Sequence, residues 1–307
     1  MRQILVLLVI SLCCYGQQTE SAPPSDAANL TGLTTPIEVT FSDGGTISGS
    51  GFFYFVYGPD DGKQEGPHWV SIQHIYVVTA KHVVQPKRLK DITEFRYALR
   101  VSSGDHVDWH VMKLDRTELG HRLHICQKEQ VDVAVVDVSD RITAETMAFL
   151  TERAHILAFN GLSSLQFPGR SVLQAQPGDD VIVIGYPKGI FDTFNKLPIL
   201  KTGLLNTPIG MHFNGLDAFL LDFRYYDGSS GSLIISRPTH IAYDKEGRLE
   251  GSATAQYLFL GVYQGEEVWN DVSPESADLG LGWYYYNVEE AIKNPPIVPA
   301  KGEVPPK

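Results

Sequence analysis

Short apolar segments separated by Gly, Asp and Pro run through most of this chain, and they limit the folds that it can adopt. Examples are IEVTF, VDVAVVDV, DVIVIGYP and AFLLDF. Apolar runs this short, bounded by turn residues, are typical of the strands of a β-barrel or β-sandwich. Only two stretches have helical spacing, Thr143–Ala154 and Asn287–Asn294, and in the second Glu290 follows Asn287 at the distance of a capping box. We therefore expect an all-β protein in two halves with a terminal helix.

The N-terminus has the layout of a secretory signal peptide. One Arg precedes an apolar run from Ile4 to about Tyr15, and this run is too short to anchor the chain in a bilayer. We expect cleavage after Gly16 and a secreted or periplasmic protein with no stable membrane anchor. Cleavage would leave Cys126 as the only cysteine, so the fold is expected to rely on its core rather than on internal disulfides.

The composition suggests five segments along the chain. The signal peptide (residues 1–16) precedes a flexible leader (17–35) that is rich in small and polar residues. Two β-domains follow, at residues 36–150 and 151–294, and the Pro-rich residues 295–307 are expected to form an extended tail. The net charge of −11 argues against nucleic acid as the main partner.

Two of the apolar segments each carry a residue suited to acid–base chemistry. In IYVVTAKHVV, His82 comes just after a buried strand, where it can be held firmly and still face a cleft. In VDVAVVDV, Asp132 shares the apolar face of its strand, and a buried carboxylate needs hydrogen-bond donors. A histidine N–H would be such a donor. Each of these residues alone is more often structural than catalytic.

A glycine-flanked serine pair precedes the apolar run of YDGSSGSLII. A tight turn at Gly228–Gly231 would direct backbone N–H groups into one concavity, as an oxyanion hole requires, although such a sequence is usually only a turn. With His82 and Asp132, Ser230 completes the nucleophile, base and carboxylate of a serine hydrolase. The order His-Asp-Ser is that of chymotrypsin-like enzymes, and Ser232 breaks the G-x-S-x-G motif of α/β-hydrolases.

Several motifs resemble, in the same order, those of chymotrypsin-fold serine peptidases of the trypsin-like and HtrA types. SGSGFFYFV resembles the family's Gly-Ser-Gly-Phe strand, VVTAKHVV its Leu-Thr-Ala-x-His-Val motif and VDVAVVDV its Asp-(Leu/Ile)-Ala-Val motif. PGDDVIVIGYP is similar to Pro-Gly-Asp-x-Val-x-x-Ile-Gly-x-Pro, and DGSSGSL to the stretch around the family's nucleophile. LGLGWYYYNVEEAI looks like the strand and helix that close the fold. The resemblance covers about residues 36–294.

The resemblance implies two six-stranded antiparallel β-barrels, a C-terminal helix and a catalytic site in the crevice between the barrels. It assigns Ser230 as the nucleophile, His82 as the general base and then acid, and Asp132 as the orienting carboxylate. It places the oxyanion hole at the backbone N–H groups of Gly228 and Ser230. The implied function is an exported serine endopeptidase that cleaves peptides or proteins through an acyl-enzyme, without a cofactor or a metal.

The chain also departs from the family's pattern. Ser229 stands where animal trypsins have Asp, so activation by a newly cut N-terminus is not expected. Ser232 replaces a Gly after the nucleophile, and Lys81 replaces a small residue before His82. If either change distorts the site, the chain would be a peptidase-fold module that binds peptides without turnover. The residues after 295 are too few for a PDZ domain, so the cage assembly of HtrA enzymes is not expected.

The resemblance also suggests which residues contact the substrate. The family's specificity residue lies six positions before the nucleophile, at Arg224, where it would favour an acidic side chain before the scissile bond. Alternatively, Arg224 faces solvent or pairs with Asp222. Tyr263 and Gly265 are expected to flank the substrate as an antiparallel strand, and Gly282 to line the opposite wall of the pocket.

Two other interpretations rest on different features. Zinc-ligand residue types occur at His106, Asp108, His110, His121, His124 and Cys126. Imidazole, carboxylate and thiolate groups bind zinc, but these spacings match no familiar site. A disulfide-free extracellular β-sandwich adhesin would explain the strands, but it would leave Asp132 and the ordered motifs as coincidence.

Overall fold

A computed structural model describes most of the chain, and every structural statement below concerns the residues that it describes. These are residues 30–58, 71–103, 106–144, 155–156, 160–166, 174–224, 226–243, 248–265 and 278–298. The predicted signal peptide, most of the predicted leader and the end of the Pro-rich tail lie outside them. So does most of the helix predicted at Thr143–Ala154, of which residues 143–144 belong to a helical segment at 139–144.

The first half of the chain forms one antiparallel sheet. Its strands are β1 (Thr34–Phe41), β2 (Thr46–Tyr57), β3 (Ile72–Thr79), β4 (Ile92–Ser103), β5 (His106–Asp115), β6 (Leu123–Ile125), β7 (Ala134–Asp137) and β8 (His155–Ile156). They lie in the order β5-β4-β1-β2-β3-β7-β6, and β8 pairs with β4. The sheet therefore has eight strands where six were predicted, and among the described pairings its end strands β5 and β6 are not joined.

The second half of the chain closes into the six-stranded barrel that was predicted. Its strands are β9 (Asp180–Gly185), β10 (Ile199–Leu205), β11 (Ala218–Asp222), β12 (Leu233–Ser236), β15 (Phe259–Gly265) and β16 (Leu279–Tyr284). They close in the order β10-β11-β16-β15-β12-β9, all antiparallel, and β13 (Thr239–Tyr243) pairs with β14 (Leu249–Gln256) in a separate hairpin. The mostly β, chymotrypsin-like fold is thus confirmed.

Strand β2 shows why its apolar run is almost continuous. Successive side chains of a strand point to opposite faces, so a strand that is buried on both faces carries apolar residues at every position. Phe53 and Phe55 pack in the core of the first sheet, whereas Phe52 and Tyr54 pack in a second core. That second core also contains residues of the barrel, and the ring of Phe52 meets that of Phe259 edge-on at 5.3 Å. The two halves therefore share an apolar interface.

The helices are short, and their caps differ from those predicted. They are α1 (Lys81–Val84), α2 (Arg116–Arg122) and α3 (Tyr286–Lys293). The predicted terminal helix is confirmed as α3, but Asn287 lies inside it and donates hydrogen bonds to the carbonyls of Asp217 and Tyr284, so the predicted capping box is wrong. A capping box occurs instead at the start of α2. In the described part of the chain, no helix has the length and apolar character to cross a membrane.

Both ends of the described chain pack against the first sheet. Strand β1 begins at Thr34, and Leu30 and Leu33 are buried, so the last residues of the predicted leader belong to the folded domain. At the other end, Ile297 and Val298 donate backbone hydrogen bonds to the carbonyls of Leu123 and Gly120. Two backbone bonds therefore bring the start of the predicted tail back to the first half.

A charged network joins the two halves beside their apolar interface. The ammonium group of Lys128, in the loop before β7, lies 2.6 Å from Asp217 Oδ2 and 2.9 Å from Glu290 Oε2. Asp217 precedes β11, and Glu290 lies in α3. The hydroxyl of Tyr286 also donates to Asp217 at 3.2 Å. One lysine thus connects the first half to both the barrel and the terminal helix.

The network holds Asp217 in its charged form. Burial is the largest single effect and would raise the pKa of the Asp217 carboxyl, but the hydrogen bond and charge of Lys128, the Tyr286 hydroxyl and His212 together outweigh it, so this pKa lies below its ordinary value. The hydrogen bonds to Asp217 and then to Glu290 raise the pKa of Lys128. A carboxyl with a lowered pKa in the folded state stabilises the fold above its unfolded-state pKa, and this stabilisation is lost as the pH falls through the folded-state pKa.

We expect Asp217→Asn to weaken the pH dependence of folding in acid. The Asp217 contribution is complete above the unfolded-state pKa of about 4 and is lost below it. Between about pH 5 and pH 2.5, the unfolding free energy of the wild type should therefore fall more steeply than that of Asp217→Asn, measured by urea denaturation at each pH. Asp222→Asn, at an exposed carboxylate of β11, serves as the control and should keep the wild-type slope. Equal slopes for all three proteins would contradict the expectation.

Candidate active site

His82 lies on a short helix that the core holds in place. Strand β3 ends at Thr79, and α1 begins two residues later. Val83 and Val84 are buried in the core of the first sheet, which directs the neighbouring His82 outward. Nearly half of the His82 side chain, 49%, is exposed. The histidine therefore combines a fixed backbone with an accessible ring.

Asp132 binds His82 through both carboxylate oxygens. Oδ1 accepts the backbone N–H of His82 at 2.8 Å, and Oδ2 lies 2.5 Å from the ring Nδ1 of the same residue. The Asp132 side chain is only 12% exposed, because Val131 and Val133 on either side of it are fully buried. This double contact orients the imidazole and leaves Nε2, on the opposite side of the ring, for another partner.

Lys81 does not disturb this pair. Its ammonium group donates to the carbonyl of Glu129 at 3.1 Å, and its backbone N–H donates to the carbonyl of Asp132 at 3.2 Å. Both bonds go to the loop that carries Asp132. The side chain thus points away from the ring of His82, and the backbone bond helps to keep the two segments together.

Ser230 lies in a tight turn that is held by three backbone hydrogen bonds. Ser229 N–H donates to Tyr226 at 2.9 Å, Gly231 N–H to Tyr263 at 2.8 Å and Ser232 N–H to Ser229 at 3.0 Å, in each case to the carbonyl oxygen. The N–H groups of Gly228 and Ser230 have no hydrogen-bond partner among the described residues. Gly228 and Gly231 have φ values of +78° and +83°, which favour glycine. The turn therefore presents the two N–H groups that the sequence predicted for an oxyanion hole.

The Ser230 turn packs directly against the segments that carry His82. A Cβ atom at Gly231 would lie 2.9 Å from the backbone nitrogen of Ala80, two residues before the histidine. A Cβ atom at Gly49 would lie 2.9 Å from Val83 and 3.2 Å from the Ser230 carbonyl oxygen. Side chains at these glycines would push the turn away from α1, so the absence of both allows the turn to pack against the residues that flank His82.

Ser50 forms four hydrogen bonds that connect these parts of the site. Its N–H donates to the Ser230 carbonyl at 2.8 Å, and its carbonyl accepts the Thr79 hydroxyl at 2.7 Å. Its hydroxyl donates to the Gly228 carbonyl at 2.8 Å and accepts the Tyr186 N–H at 2.8 Å. Ser50 is fully buried. Sequence reasoning missed its role, although a serine inside the apolar run SGSGFFYFV was a usable signal, since buried hydroxyls are normally hydrogen-bonded.

The unusual Ser232 fits because residue 185 is glycine. Any Cβ at Gly185 would collide with the hydroxyls of Ser232 and Ser50. Ser232 is buried, and its backbone still completes the turn to Ser229 and accepts the N–H of Tyr263 at 2.9 Å. The replacement is therefore accommodated in the barrel wall, and the N–H groups of Gly228 and Ser230 keep their positions.

The four residues that were predicted to contact the substrate differ in burial and in their neighbours. Tyr263 has a fully buried side chain that packs edge-on against Phe223 at 5.0 Å, so only its backbone is placed to flank a substrate strand, and that role stays a prediction. A Cβ at Gly282 would point at Phe219 and Ile234 in the barrel core, so the predicted lining of the pocket by Gly282 would have to use its backbone. Period-two alternation along β15 and β16 sends these positions inward.

Gly265 is buried at the end of β15, whereas Arg224 is exposed. Gly265 ends β15 with φ +101°, beyond Val262, the last residue of this strand that pairs with β12. The side chain of Arg224 is 68% exposed, and its Nε lies 3.6 Å from Asp278 Oδ1. Arg224 therefore faces solvent, and Asp278 is its partner in place of the suggested Asp222.

A second histidine–aspartate pair provides an internal comparison. His74 Nδ1 lies 3.1 Å from Asp137 Oδ2, and Ser139 donates its hydroxyl to Asp137 Oδ1 at 2.5 Å. Here the serine and the histidine both bind the carboxylate, so the serine proton is directed to aspartate rather than to imidazole. The same three residue types are present, but this arrangement cannot activate the serine.

The candidate zinc ligands have other partners. His121 and His124 contact the carbonyls of Val298 and Asn294 through Nδ1 at 2.8 and 2.7 Å. Cys126 is buried and unpaired with another cysteine, and burial raises the pKa of its thiol. Across the described ranges, no three His, Cys, Asp or Glu side chains are grouped as a metal site would require.

We expect Ser50→Ala to destabilise the protein by about 1–3 kcal/mol for each buried group that it leaves unpaired. The hydroxyl satisfies the Tyr186 N–H and the Gly228 carbonyl, and alanine can satisfy neither. Urea denaturation of the wild type, Ser50→Ala and the control Ser48→Ala, at an exposed position of the same strand, measures the difference. A Ser50→Ala protein as stable as the control would show that these bonds contribute little.

One protein-family model and several solved structures are similar to this chain. The model of the trypsin-like peptidase domain matches residues 49–239, and no curated protein sequence matches the chain. Among solved structures, catalytically inactive tobacco etch virus protease complexed with substrate is 10% identical, with 86% of this chain and 81% of that chain covered and a TM-score of 0.43. The active form of the Rv3671c protease from M. tuberculosis is 16% identical, with 90% and 85% covered and a TM-score of 0.43. The HtrA-type protease AlgW with tripeptide is 15% identical, with 77% and 60% covered and a TM-score of 0.38.

The family match carries the assignment, because it includes more than half of the 307 residues and contains His82, Asp132 and Ser230. The chain belongs to the trypsin-like peptidase family.

Proposed function

We propose that this protein is an exported serine endopeptidase, with Ser230 as nucleophile, His82 as general base and acid, and Asp132 as the carboxylate that orients the histidine. One observation carries the proposal. The His82–Asp132 pair, with bonds of 2.5 and 2.8 Å, adjoins a serine turn in which the N–H groups of Gly228 and Ser230 have no described partner. Base, carboxylate, nucleophile and oxyanion donors are the groups that acyl transfer to serine requires.

The proposed reaction assigns one task to each group. Ser230 Oγ attacks the carbonyl carbon of the scissile peptide bond while His82 Nε2 accepts the hydroxyl proton. Asp132, bonded to Nδ1, stabilises the imidazolium that forms, and the two free N–H groups of the turn bind the oxyanion. His82 then gives its proton to the leaving amine as the C–N bond breaks. Water, deprotonated by His82, releases the acid product and restores Ser230.

The open end of β15 would align the substrate. The carbonyl of Tyr263 already accepts Gly231 N–H, and β12 pairs with β15 only up to Val262. Gly265 lies two residues beyond Tyr263, past an irregularity in the pairing of β15 with β16. An extended peptide added at this edge would gain main-chain hydrogen bonds and would pass the Ser230 turn. We therefore propose that Gly265 binds substrate through its backbone. The side chain of Tyr263 is buried and takes no part in this contact.

A protein that binds peptides without turnover is the second candidate. The observation that favours it concerns the His82 ring, whose hydrogen bond in the described chain goes to Asp132 and not to the Ser230 hydroxyl. Hydrogen bonds of catalytic groups often tighten only when substrate is present, so the first candidate accommodates the same observation. Labelling of the serine distinguishes the two.

We expect a fluorophosphonate probe to label the purified protein once, at Ser230. Ser230→Ala should give no adduct, and His82→Ala should label far more slowly because the base is missing. His74→Ala removes the histidine of the comparison pair and should label like the wild type. Intact-mass spectrometry with peptide mapping measures the adduct. A wild type that is folded by circular dichroism and stays unlabelled would favour the binding module.

We expect Asp132→Asn to lower kcat by roughly 10⁴-fold without unfolding the protein. The amide cannot stabilise the imidazolium, and it can hold the ring in the wrong tautomer. Asp137→Asn makes the same change in the comparison pair and should leave kcat unchanged. Initial rates on a fluorogenic peptide mixture report the ratio, and similar rates for the two variants would remove Asp132 from the mechanism.

The proposed export rests on the N-terminal apolar run alone. Expression of the full chain in a bacterial host, followed by N-terminal sequencing of the protein outside the cytoplasm, tests it. A mature N-terminus near residue 17 is expected, and an uncut cytoplasmic protein would contradict the proposal.

A further inference from the structure

Three cationic side chains gather around one aromatic ring close to Ser230. Lys201 Nζ lies 3.8 Å from the centroid of the Tyr226 ring, Lys188 Nζ lies 5.7 Å from it and Arg224 Cζ lies 5.9 Å from it. Lys201 also lies 4.6 Å from the ring of Phe223. We call Lys188, Lys201 and Arg224 the cationic cluster. Aromatic faces attract cations, so the rings hold these groups in place without removing their charge.

Two members of the cluster lack a carboxylate partner. Arg224 lies 3.6 Å from Asp278, but neither Lys188 nor Lys201 forms an ion pair with any carboxylate in the described part of the chain. Two other acidic residues, Asp222 and Asp227, are close in sequence, and both are exposed. Two uncompensated ammonium groups are notable in a chain whose net charge is −11. They are two positive side chains without a carboxylate partner among the described residues of an acidic protein.

The cluster is attached to the Ser230 turn by backbone contacts. The carbonyl of Tyr226 accepts Ser229 N–H at 2.9 Å, and Lys188 N–H donates to the carbonyl of Asp227 at 2.5 Å. A Cβ at Gly228 would lie 3.2 Å from the Lys188 nitrogen. Gly228 supplies one of the two unpaired N–H groups. A peptide whose carbonyl reaches that group is therefore close to the cluster.

We propose that the cationic cluster binds a side-chain carboxylate of the substrate, so that this protein selects acidic peptides. The inference rests on the proposed function, since it places the peptide at the Ser230 turn. A carboxylate between Lys188 and Lys201 would replace the partner that these ammonium groups lack, and the Tyr226 ring would keep Lys201 oriented for it. Arg224 contributes a third positive charge to the cluster, and its Nε lies 3.6 Å from Asp278 Oδ1.

Binding to the Ser230→Ala variant tests the inference without requiring turnover. Fluorescent peptides, acetylated and amidated at their ends, would carry Glu at one position at a time or the isosteric Gln at the same position. For at least one position we expect the Glu peptide to bind roughly fivefold to tenfold tighter than the Gln peptide, the range of one or two partly exposed ion pairs. The ratio should shrink as salt is raised from 50 to about 500 mM. Fluorescence anisotropy measures both effects.

Variants of the cluster assign the effect to its members. Lys188→Gln combined with Lys201→Gln should bring the Glu/Gln ratio close to one, whereas Lys201→Arg keeps the charge and should retain the preference. Arg237→Gln, at an exposed arginine of the same barrel, is the matched control and should bind like the parent variant. A Glu/Gln ratio near one at every position, or a ratio unchanged in the double variant, would overturn the inference.

The outcome for the cluster can be separated from the outcome for the proposed function. A wild type that labels at Ser230 and cleaves Glu and Gln peptides equally well would keep the peptidase proposal and overturn acidic selection. A protein that never labels but binds Glu peptides tightly, with loss in the double variant, would support the cluster and overturn the peptidase proposal. Circular dichroism of each variant confirms that the comparison is made between folded proteins.

Discussion

The hydrogen bonds of Ser50 are the interaction on which the rest of the site depends. This residue lies in the first sheet, yet its backbone and hydroxyl hold the Ser230 turn, the end of β3 and the end of β9 at once. Ser50 itself is fully buried, and a buried polar network fixes geometry only when all of its members are satisfied. The four bonds of Ser50 meet that condition. A site assembled from two halves therefore has a single point where their relative position is set.

Two further features hold the halves together, the shared apolar core and the Lys128 network. The shared apolar core brings β2, β3 and β7 of the first sheet against the barrel, and burial of this apolar surface favours their association. The Lys128 network also restrains how the two halves are positioned, because the Lys128 ammonium group pairs with both Asp217 and Glu290. Lys128 lies in the same loop as Asp132. The charged bridge thus restrains the segment that orients His82.

The cationic cluster beside the Ser230 turn contrasts with the negative net charge of the chain. The protein is acidic overall, and its surface would repel acidic peptides at long range. Next to the Ser230 turn, however, the rings of Tyr226 and Phe223 gather positive charge. The contrast between an acidic surface and a positive site would restrict acidic peptides to one place on the molecule. Such selection would depend on where the positive side chains lie rather than on the net charge of the protein.

The two histidine–aspartate pairs show that the same residue types can form different arrangements. His82–Asp132 and His74–Asp137 both join a residue of the β3 region to one of the β7 region, and a serine lies near each pair. Only the first pair adjoins a serine that comes from the other half of the protein. The chemistry proposed for the first pair would therefore depend on long-range packing, and composition does not distinguish the two pairs.

Apolar periodicity and motif order in the sequence determined the strands, the terminal helix and the candidates His82, Asp132 and Ser230, because strand alternation and turn glycines act between near neighbours. The tertiary structure decided the rest. It buried Tyr263 and Gly282 in the barrel core, turned Arg224 to Asp278, and paired Ser50 with Gly228 across 178 residues. It also brought Lys188 and Lys201 to one ring from separate elements. Such contacts depend on which strands become neighbours, and this is set by the closing of the sheet and not by the residues beside each position.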